Sequence, residues 1–320
     1  MPAGVLTPSV TYKPFRYPWA MELAEASEKA HWGTWELDLQ KDVEQIKTGA
    51  LTAGQMNHIV QILRLFTQTD VVVGGNYCEM FIPHFKNNEI RNMLLSIASR
   101  EGTHQRAYAL LNDTLGMADS EYSAFLEYEA MAEKVEFMQQ ADLSTDEGLV
   151  LSVAQTVCNE GMSLFSAFAM LLNYERFGLM RGMCEVVEWS VKDETLHVIG
   201  MAKVFHTLCE ELPHVVTDDF KFQIYEMFRT AVSLEDKVID IAFEMGPIEG
   251  LTADEVKQFI RHIADRRLTM LGMKTIYGVD ENPLPWINSI IAGDSFKNFF
   301  EGRVTDYTNG SLTGEWTYPS

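Results

Sequence analysis

Two stretches decide the reading of this chain: Glu101-Gly-Thr-His-Gln-Arg-Ala-Tyr108 and Lys192-Asp-Glu-Thr-Leu-His197. Each contains Glu-x-x-His. On a helix, residues i and i+3 share a face, so the carboxylate and the imidazole project together. Such mixed ligands suit a hard first-row metal such as iron or manganese. The motif alone decides little. Glutamate is common enough here that about one copy is expected by chance, and the sequence contains four. Glu28/His31 and Glu211-Leu-Pro-His214 are assigned to chance, the second because its proline spoils a helical face. Context separates the other two. One helical hairpin upstream of each stands a lone acid in an apolar face: Asp70 among Leu63, Phe66 and Val73, and Glu160 among Val153, Val157, Leu164 and Phe168. An isolated buried carboxylate is costly unless paired or ligated. Pairing with Arg or Lys in ordinary buried networks would explain any one of these acids, but the faces around them supply few cations. The steps from 70 to 101 and from 160 to 194 are nearly equal, a weak internal repeat of helix, short turn and antiparallel helix. Two metals need bridging carboxylates from facing helices. Asp70, Glu101, His104, Glu160, Glu194 and His197 therefore read as one dimetal ligand set.

The rest of the chain supports a helical bundle. It has 320 residues, 47% of them hydrophobic, enough for a large core. Its formal charge of −21 argues against nucleic acid or an anionic membrane surface as partner. The longest apolar run, Leu149 to Leu172, contains Gln155, Asn159 and Glu160, so it reads as a helix buried on all sides and not as a membrane span. Strand signals are almost absent. Periodicity predicts helices near 19–30, 52–83, 87–115, 119–140, 146–175, 177–209, 216–244 and 252–273. Thr52, the Ser144-Thr-Asp-Glu147 segment and Thr252-Ala-Asp-Glu255 are capping signals, and Pro213 and Gly246-Pro247 are stops. Pro2, Pro8, Pro14 and Pro18 interrupt a polar, aromatic N-terminus with no apolar core of a signal peptide. The four cysteines, Cys78, Cys158, Cys184 and Cys209, form no Cys-x-x-Cys pair and read as reduced thiols in a cytoplasmic protein. The expected organisation is an extended segment over 1–18, one helical domain over 19–292 and a flexible tail over 293–320.

The six candidate ligands resemble those of the radical-generating small subunit of class I ribonucleotide reductase. The resemblance extends to Asp70-Val-Val-Val-Gly-Gly-Asn76, His262-Ile-Ala-Asp-Arg-Arg-Leu268, Asn282-Pro-Leu-Pro-Trp286 and Asn298-Phe-Phe-Glu-Gly-Arg-Val304, and runs from about residue 20 to the C-terminus. It implies an all-α, ferritin-like bundle with a dimetal-carboxylate centre, in a homodimer. It implies two metal ions, Fe/Fe first and Mn/Fe or Mn/Mn as alternatives. Activated by oxygen or a reduced oxygen species, the centre would yield a one-electron oxidant. That oxidant would pass to a catalytic large subunit that reduces ribonucleotides to deoxyribonucleotides.

The resemblance also implies roles for single residues. Tyr108 stands where the family commonly keeps its tyrosyl radical, with Leu164, Phe168 and Ser190 at the positions around it. Ser190 departs from the usual apolar residue and can bring a hydrogen bond or water near the radical. Trp32, with Trp35 as a nearby competitor, corresponds to the relay tryptophan, Asp193 to its link to His104, and Tyr307 to a tail tyrosine that carries the radical between subunits. Leu312, Trp316 and Tyr318 would anchor the tail on the large subunit. The short tail resembles the branch that includes manganese/iron enzymes, yet that branch often has Glu in place of Asp70 and Phe in place of Tyr108, which leaves the metal open. Two competing functions share the ligands: a dimetal oxidase or hydroxylase acting on a small apolar substrate, and a ferritin-like metal store.

Overall fold

The structure is a computed structural model that describes residues 4–287. The expected docking tail over 293–320, with Tyr307, Leu312, Trp316, Tyr318 and the Asn298–Val304 segment, lies outside the described residues.

Helices account for nearly all of the described order, and the sole bridge of β type among the described residues pairs Ile248 with Leu251. In chain order they are α1 (Pro18–Lys29), α2 (Gln40–Thr48), α3 (Ala53–Gly75), α4 (Ile82–His84), α5 (Asn88–Thr114), α6 (Glu121–Ala124), α7 (Glu129–Met138), α8 (Asp146–Cys158), α9 (Phe165–Leu172), α10 (Arg181–Glu211), α11 (Asp218–Ala242) and α12 (Ala253–Met270). Helix α5 packs against α1, α3 and α10, α10 packs against α8 and α9, and α11 and α12 close the other side. The apolar stretch from Leu149 to Leu172 is buried along almost its whole length, as its composition demands. No helix among the described residues is long and apolar enough to cross a membrane.

Local chemistry sets the ends. Thr52 Oγ1 accepts the Gln55 amide at 3.2 Å while Gln55 Oε1 accepts the Thr52 amide at 2.9 Å, and Thr252 with Glu255 repeats this reciprocal cap. At α8 the cap is Thr145, whose hydroxyl accepts the Gly148 amide at 3.0 Å, while Ser144 turns to Asp142. The four cysteines are unpaired.

Three boundaries differ from the sequence reading. The predicted helix over 52–83 is α-helical to Gly75 and then π-helical over Asn76–Phe81, and that over 146–175 is broken by a second π-turn, Asn159–Ser163. A 3.6-residue pattern does not register one inserted residue, which is what a π-turn is. The predicted helix over 119–140 is a short turn of helix, a 3-10 turn and then α7. Helix α2 has no predicted counterpart, because its nine residues carry only Val43 and Ile46 as strong apolar signals. Its buried Asp42 accepts the Gly182 and Met183 amides at 3.1 and 2.7 Å and so caps the N-terminus of α10. Glu211, set aside above as part of a chance motif, accepts the Val5 amide at 3.1 Å and the Tyr17 hydroxyl, pinning the N-terminal segment to the bundle.

Candidate metal centre

Four segments bring the six predicted ligands together: Asp70 from α3, Glu101 and His104 from α5, Glu160 from the second π-turn, and Glu194 and His197 from α10. All six are at most 1% exposed. Glu101, Glu160, Glu194 and His197 present ligand atoms within 4.8 Å of one another, and so do Asp70, Glu101 and His104. Glu101 joins both groups.

The distances define the roles. Glu101 directs Oε2 to His104 Nδ1 at 3.7 Å and Oε1 to His197 Nδ1 at 3.0 Å. Glu194 does the same, with Oε1 3.3 Å from His104 Nδ1 and Oε2 3.3 Å from His197 Nδ1. These two carboxylates therefore span the two imidazoles. Glu160 lies at the His197 end, 3.4 Å from Nδ1, and Asp70 groups with His104. The set would suit two metal ions, with Asp70 and His104 at one end, Glu160 and His197 at the other, and Glu101 and Glu194 between them.

Orphaned polar atoms test whether metal fits. Asp70 Oδ2, both oxygens of Glu101, Glu160 Oε2, Glu194 Oε2 and both nitrogens of His197 are buried without a hydrogen-bond partner. Leaving so many polar atoms unsatisfied is expensive unless they are ligands. Electrostatics agrees. Burial, then neighbouring carboxylates, drives Asp70 well above its ordinary range; burial likewise raises Glu160 to about 8. Burial opposes charge on both imidazoles, but the Asp193 hydrogen bond outweighs it at His104 and the charge of Glu194 and its neighbours outweighs it at His197, so both are raised. Such protons stand in for cations and are released when a metal takes their place.

His104 is fixed from behind. Its Nε2 lies 3.0 Å from Asp193 Oδ2, which also accepts Trp32 Nε1–H at 2.8 Å and Arg100 Nε–H at 3.2 Å. Asp193 is an acceptor, so Nε2 carries a proton and Nδ1 is the nitrogen that would ligate once a metal displaces the other proton. Burial would raise Asp193, but His104 and Arg100 hold it below the usual carboxylate range. Trp32 is buried and stacks on the His104 ring, centroids 5.9 Å apart, with the Arg100 guanidinium 5.4 Å from its own ring. Trp35 is 75% exposed and makes no contact with Asp193 among the described residues.

Tyr108 is fully buried on the face of α5 that carries Glu101 and His104. Its hydroxyl donates to Ser190 Oγ at 3.1 Å, and Ser190 donates to the Val186 carbonyl at 2.9 Å. Phe66 meets the ring edge-on at 4.5 Å, and Phe168 packs behind Phe66. Burial, then the charge of Asp70, raises the phenol well above its ordinary value.

Several participants went unseen in the sequence. Tyr77, in the first π-turn, donates its hydroxyl to Glu160 Oε1 at 2.8 Å, so the two π-turns meet at a candidate ligand. Two buried cations hold carbonyls of the second π-turn. Arg267 Nε donates to Gly161 O at 2.7 Å and Lys134 Nζ to Ser163 O at 2.9 Å. Lys134 in turn pairs with Glu235 at 2.5 Å, whose other oxygen accepts the Ser166 hydroxyl at 2.6 Å. Gly161 allows the close approach, since a Cβ there would stand 2.9 Å from Arg267 Nε and 3.1 Å from Val198 Cγ2. A glycine directly after a candidate ligand was the available signal for this contact.

A family model for the ribonucleotide reductase small chain matches residues 9–283. The chain belongs to that family. It is 38% identical over 327 residues to a probable ribonucleoside-diphosphate reductase small subunit of Invertebrate iridescent virus 3, covering 96% of this chain and 86% of that protein. It is 30% identical over 315 residues to the ribonucleoside-diphosphate reductase subunit beta of Chlamydia pneumoniae, covering 94% and 90%. The crystal structure of a putative class I ribonucleotide reductase from Bacillus halodurans shares the fold, with a TM-score of 0.79 and 22% identity over 85% of this chain and 99% of that one. As a small chain of this oxidoreductase family, the protein carries the carboxylate and histidine cluster expected of a dimetal site.

Proposed function

We propose that this chain generates a one-electron oxidant, holds it on Tyr108 and passes it to a catalytic large subunit for reduction of ribonucleotides to deoxyribonucleotides. The observation that carries the reading is the fully buried Tyr108 phenol beside a closed set of six ligands. A site this enclosed suits export of an electron equivalent better than entry of a substrate, which favours the radical role over an oxidase or hydroxylase. When bound, the metal pair supplies the one-electron oxidising power.

The protein's own groups do the rest. Asp70, Glu101, His104, Glu160, Glu194 and His197 would hold the metals, with Glu101 and Glu194 lying between the two imidazoles. The all-oxygen and imidazole donor set is compatible with an Fe/Fe pair, our first choice, and with Mn/Fe or Mn/Mn. Burial keeps the Tyr108 phenol protonated, so loss of an electron must be accompanied by movement of its proton. Ser190 Oγ, 3.1 Å away, accepts the phenol's hydrogen bond and orients its proton, but as a neutral hydroxyl it is not the base that takes it. Phe66 and Phe168 keep water from the ring.

The path outward begins at His104, crosses Asp193 to Trp32 and resumes at Tyr307 in the tail. The tail over 293–320 docks on the large subunit through Leu312, Trp316 and Tyr318, and the chain works as a homodimer. The test is loading with iron, manganese or both, followed by electron paramagnetic resonance and metal analysis of wild type and Tyr108→Phe. An organic radical signal lost in the variant supports the assignment. Full nucleotide reduction by Tyr108→Phe would sink it.

A further inference from the structure

Beside the bundle's last helix lies a cleft that the chemistry above does not use. It encloses about 450 Å³ between α12 and the following loop, and its wall includes His262, Asp265, Arg266, Arg267, Thr275 and Asp280. Arg267 is only 6% exposed. Its Nε–H is spent on the Gly161 carbonyl, and its guanidinium lies over the Phe165 ring with 5.1 Å to the centroid. No described residue accepts a hydrogen bond from its two terminal nitrogens. Burial, then the adjacent Arg266, lowers its pKa to about 10, as expected for a cation with no anion beside it. Arg266 is exposed and has no ion pair among the described residues.

The two acids on the wall, Asp265 and Asp280, form no direct ion pair with either arginine. Asp265 is already engaged: Oδ1 accepts the Ile276 and Tyr277 amides and Oδ2 those of Gly278 and Val279, at 2.7–3.2 Å. Asp280 is exposed. His262 Nδ1 donates to the Val279 carbonyl at 2.8 Å and is also engaged. A buried guanidinium left without an anion is disfavoured, and on a chain of net charge −21 two neighbouring arginines with no ion pair among the described residues stand out.

We propose that this cleft binds a phosphate-type oxyanion on Arg266 and Arg267, and that occupancy is felt at Glu160 through the Gly161 carbonyl. Two planar guanidinium forks match the geometry of a phosphate. Its charge of about −1.5 to −2 matches the pair better than a single carboxylate would. The Thr275 hydroxyl adds a further donor on the wall. The connection is short. Gly161 follows Glu160 within the same π-turn, and Arg267, which holds its carbonyl at 2.7 Å, is one of the residues lining the cleft. Binding by the arginines stands apart from the metal chemistry, and only the link to Glu160 rests on the metal-centre reading.

The test titrates inorganic phosphate into the full, metal-free chain by calorimetry and phosphorus NMR, with succinate as the carboxylate arm. Wild type is expected to bind phosphate in a salt-sensitive way, and Arg266→Gln, at an exposed position, to weaken it about tenfold or more. Arg267→Lys keeps a charge but loses the fork, and is expected to weaken binding while circular dichroism verifies its fold. Equal binding by Arg266→Gln, or binding of succinate in preference to phosphate, overturns the site. In the second arm the chain is loaded with manganese alone and its paramagnetic resonance spectrum is recorded with and without saturating phosphate. A change in wild type that is absent in Arg266→Gln supports the link to Glu160, and an unchanged spectrum with phosphate bound overturns it. Failure to take up manganese would count against the metal-centre reading and leave the phosphate arm to be judged by itself.

Discussion

Replacing Lys134 by methionine tests how the turn that presents Glu160 is held. The side chain keeps its length and apolar stem but loses the ammonium. Glu235, fully buried, then loses its ion-pair partner among the described residues, and the Ser163 carbonyl loses its donor. The charge part has a ceiling, because Glu235 can always take up a proton. From an ordinary value of 4.5, protonation at pH 7 costs about 1.36 kcal/mol for each of the 2.5 intervening units, or roughly 3.4 kcal/mol. At pH 5 the same cost falls to roughly 0.8 kcal/mol. The lost carbonyl hydrogen bond adds about 1 kcal/mol, independent of pH.

The sign follows from burial, the largest influence on Glu235, which raises its folded value. The unfolded chain then binds fewer protons than the folded one, so stability falls as pH rises through the unfolded value. Urea denaturation of metal-free protein should therefore show Lys134→Met destabilised by up to about 4.4 kcal/mol at pH 7 and up to about 1.8 kcal/mol at pH 5. Lys134→Met combined with Glu235→Gln removes the charge while Ser166 keeps its acceptor, and should recover most of the loss. A loss below about 1 kcal/mol for the single variant at pH 7, or no recovery in the double, would refute the reasoning.

Other outcomes follow from the same geometry. Gly161→Ala places a methyl 2.9 Å from Arg267 Nε and 3.1 Å from Val198; about 1–3 kcal/mol of stability should be lost, with weaker metal uptake, measured by denaturation and metal analysis. His58 has its pKa lowered from 6.5 to about 3 by burial. Its contribution to stability is thus complete above pH 6.5 and lost as pH falls toward 3, about 2 kcal/mol of it by pH 5, and His58→Asn should flatten the stability profile between pH 5 and 8 by that amount. Trp32→Phe removes the donor to Asp193; it should keep two metals and the Tyr108 signal yet lose nucleotide reduction in assays with the large subunit. Retained reduction by Trp32→Phe would remove that residue from the path.

What could be read from the sequence follows from which forces are local. Glu101/His104 and Glu194/His197 were legible because helix periodicity alone puts each pair on one face. Asp70 and Glu160 were legible because an acid in an apolar face needs a partner. Both reciprocal caps are contained within four residues and were legible for the same reason. Invisible were the contacts that depend on how separate helices meet. Arg100 reaches Asp193 across 93 positions, Tyr77 reaches Glu160 across 83 and Arg267 reaches Gly161 across 106. The π-turns belong with these, since their cost is offset by partners such as Lys134 and Arg267 from other helices. Helix α2 was missed because its main role, capping α10 through Asp42, lies in a polar residue and not in an apolar stripe.

The central claim is that six side chains hold two metals and that the oxidant they yield rests on Tyr108. Electron paramagnetic resonance on iron-loaded, oxygen-exposed wild type and Tyr108→Phe, with metals counted on the same samples, tests it most directly. The account predicts two metals per chain in both proteins and an organic radical signal only in wild type. An undiminished signal in Tyr108→Phe would contradict it.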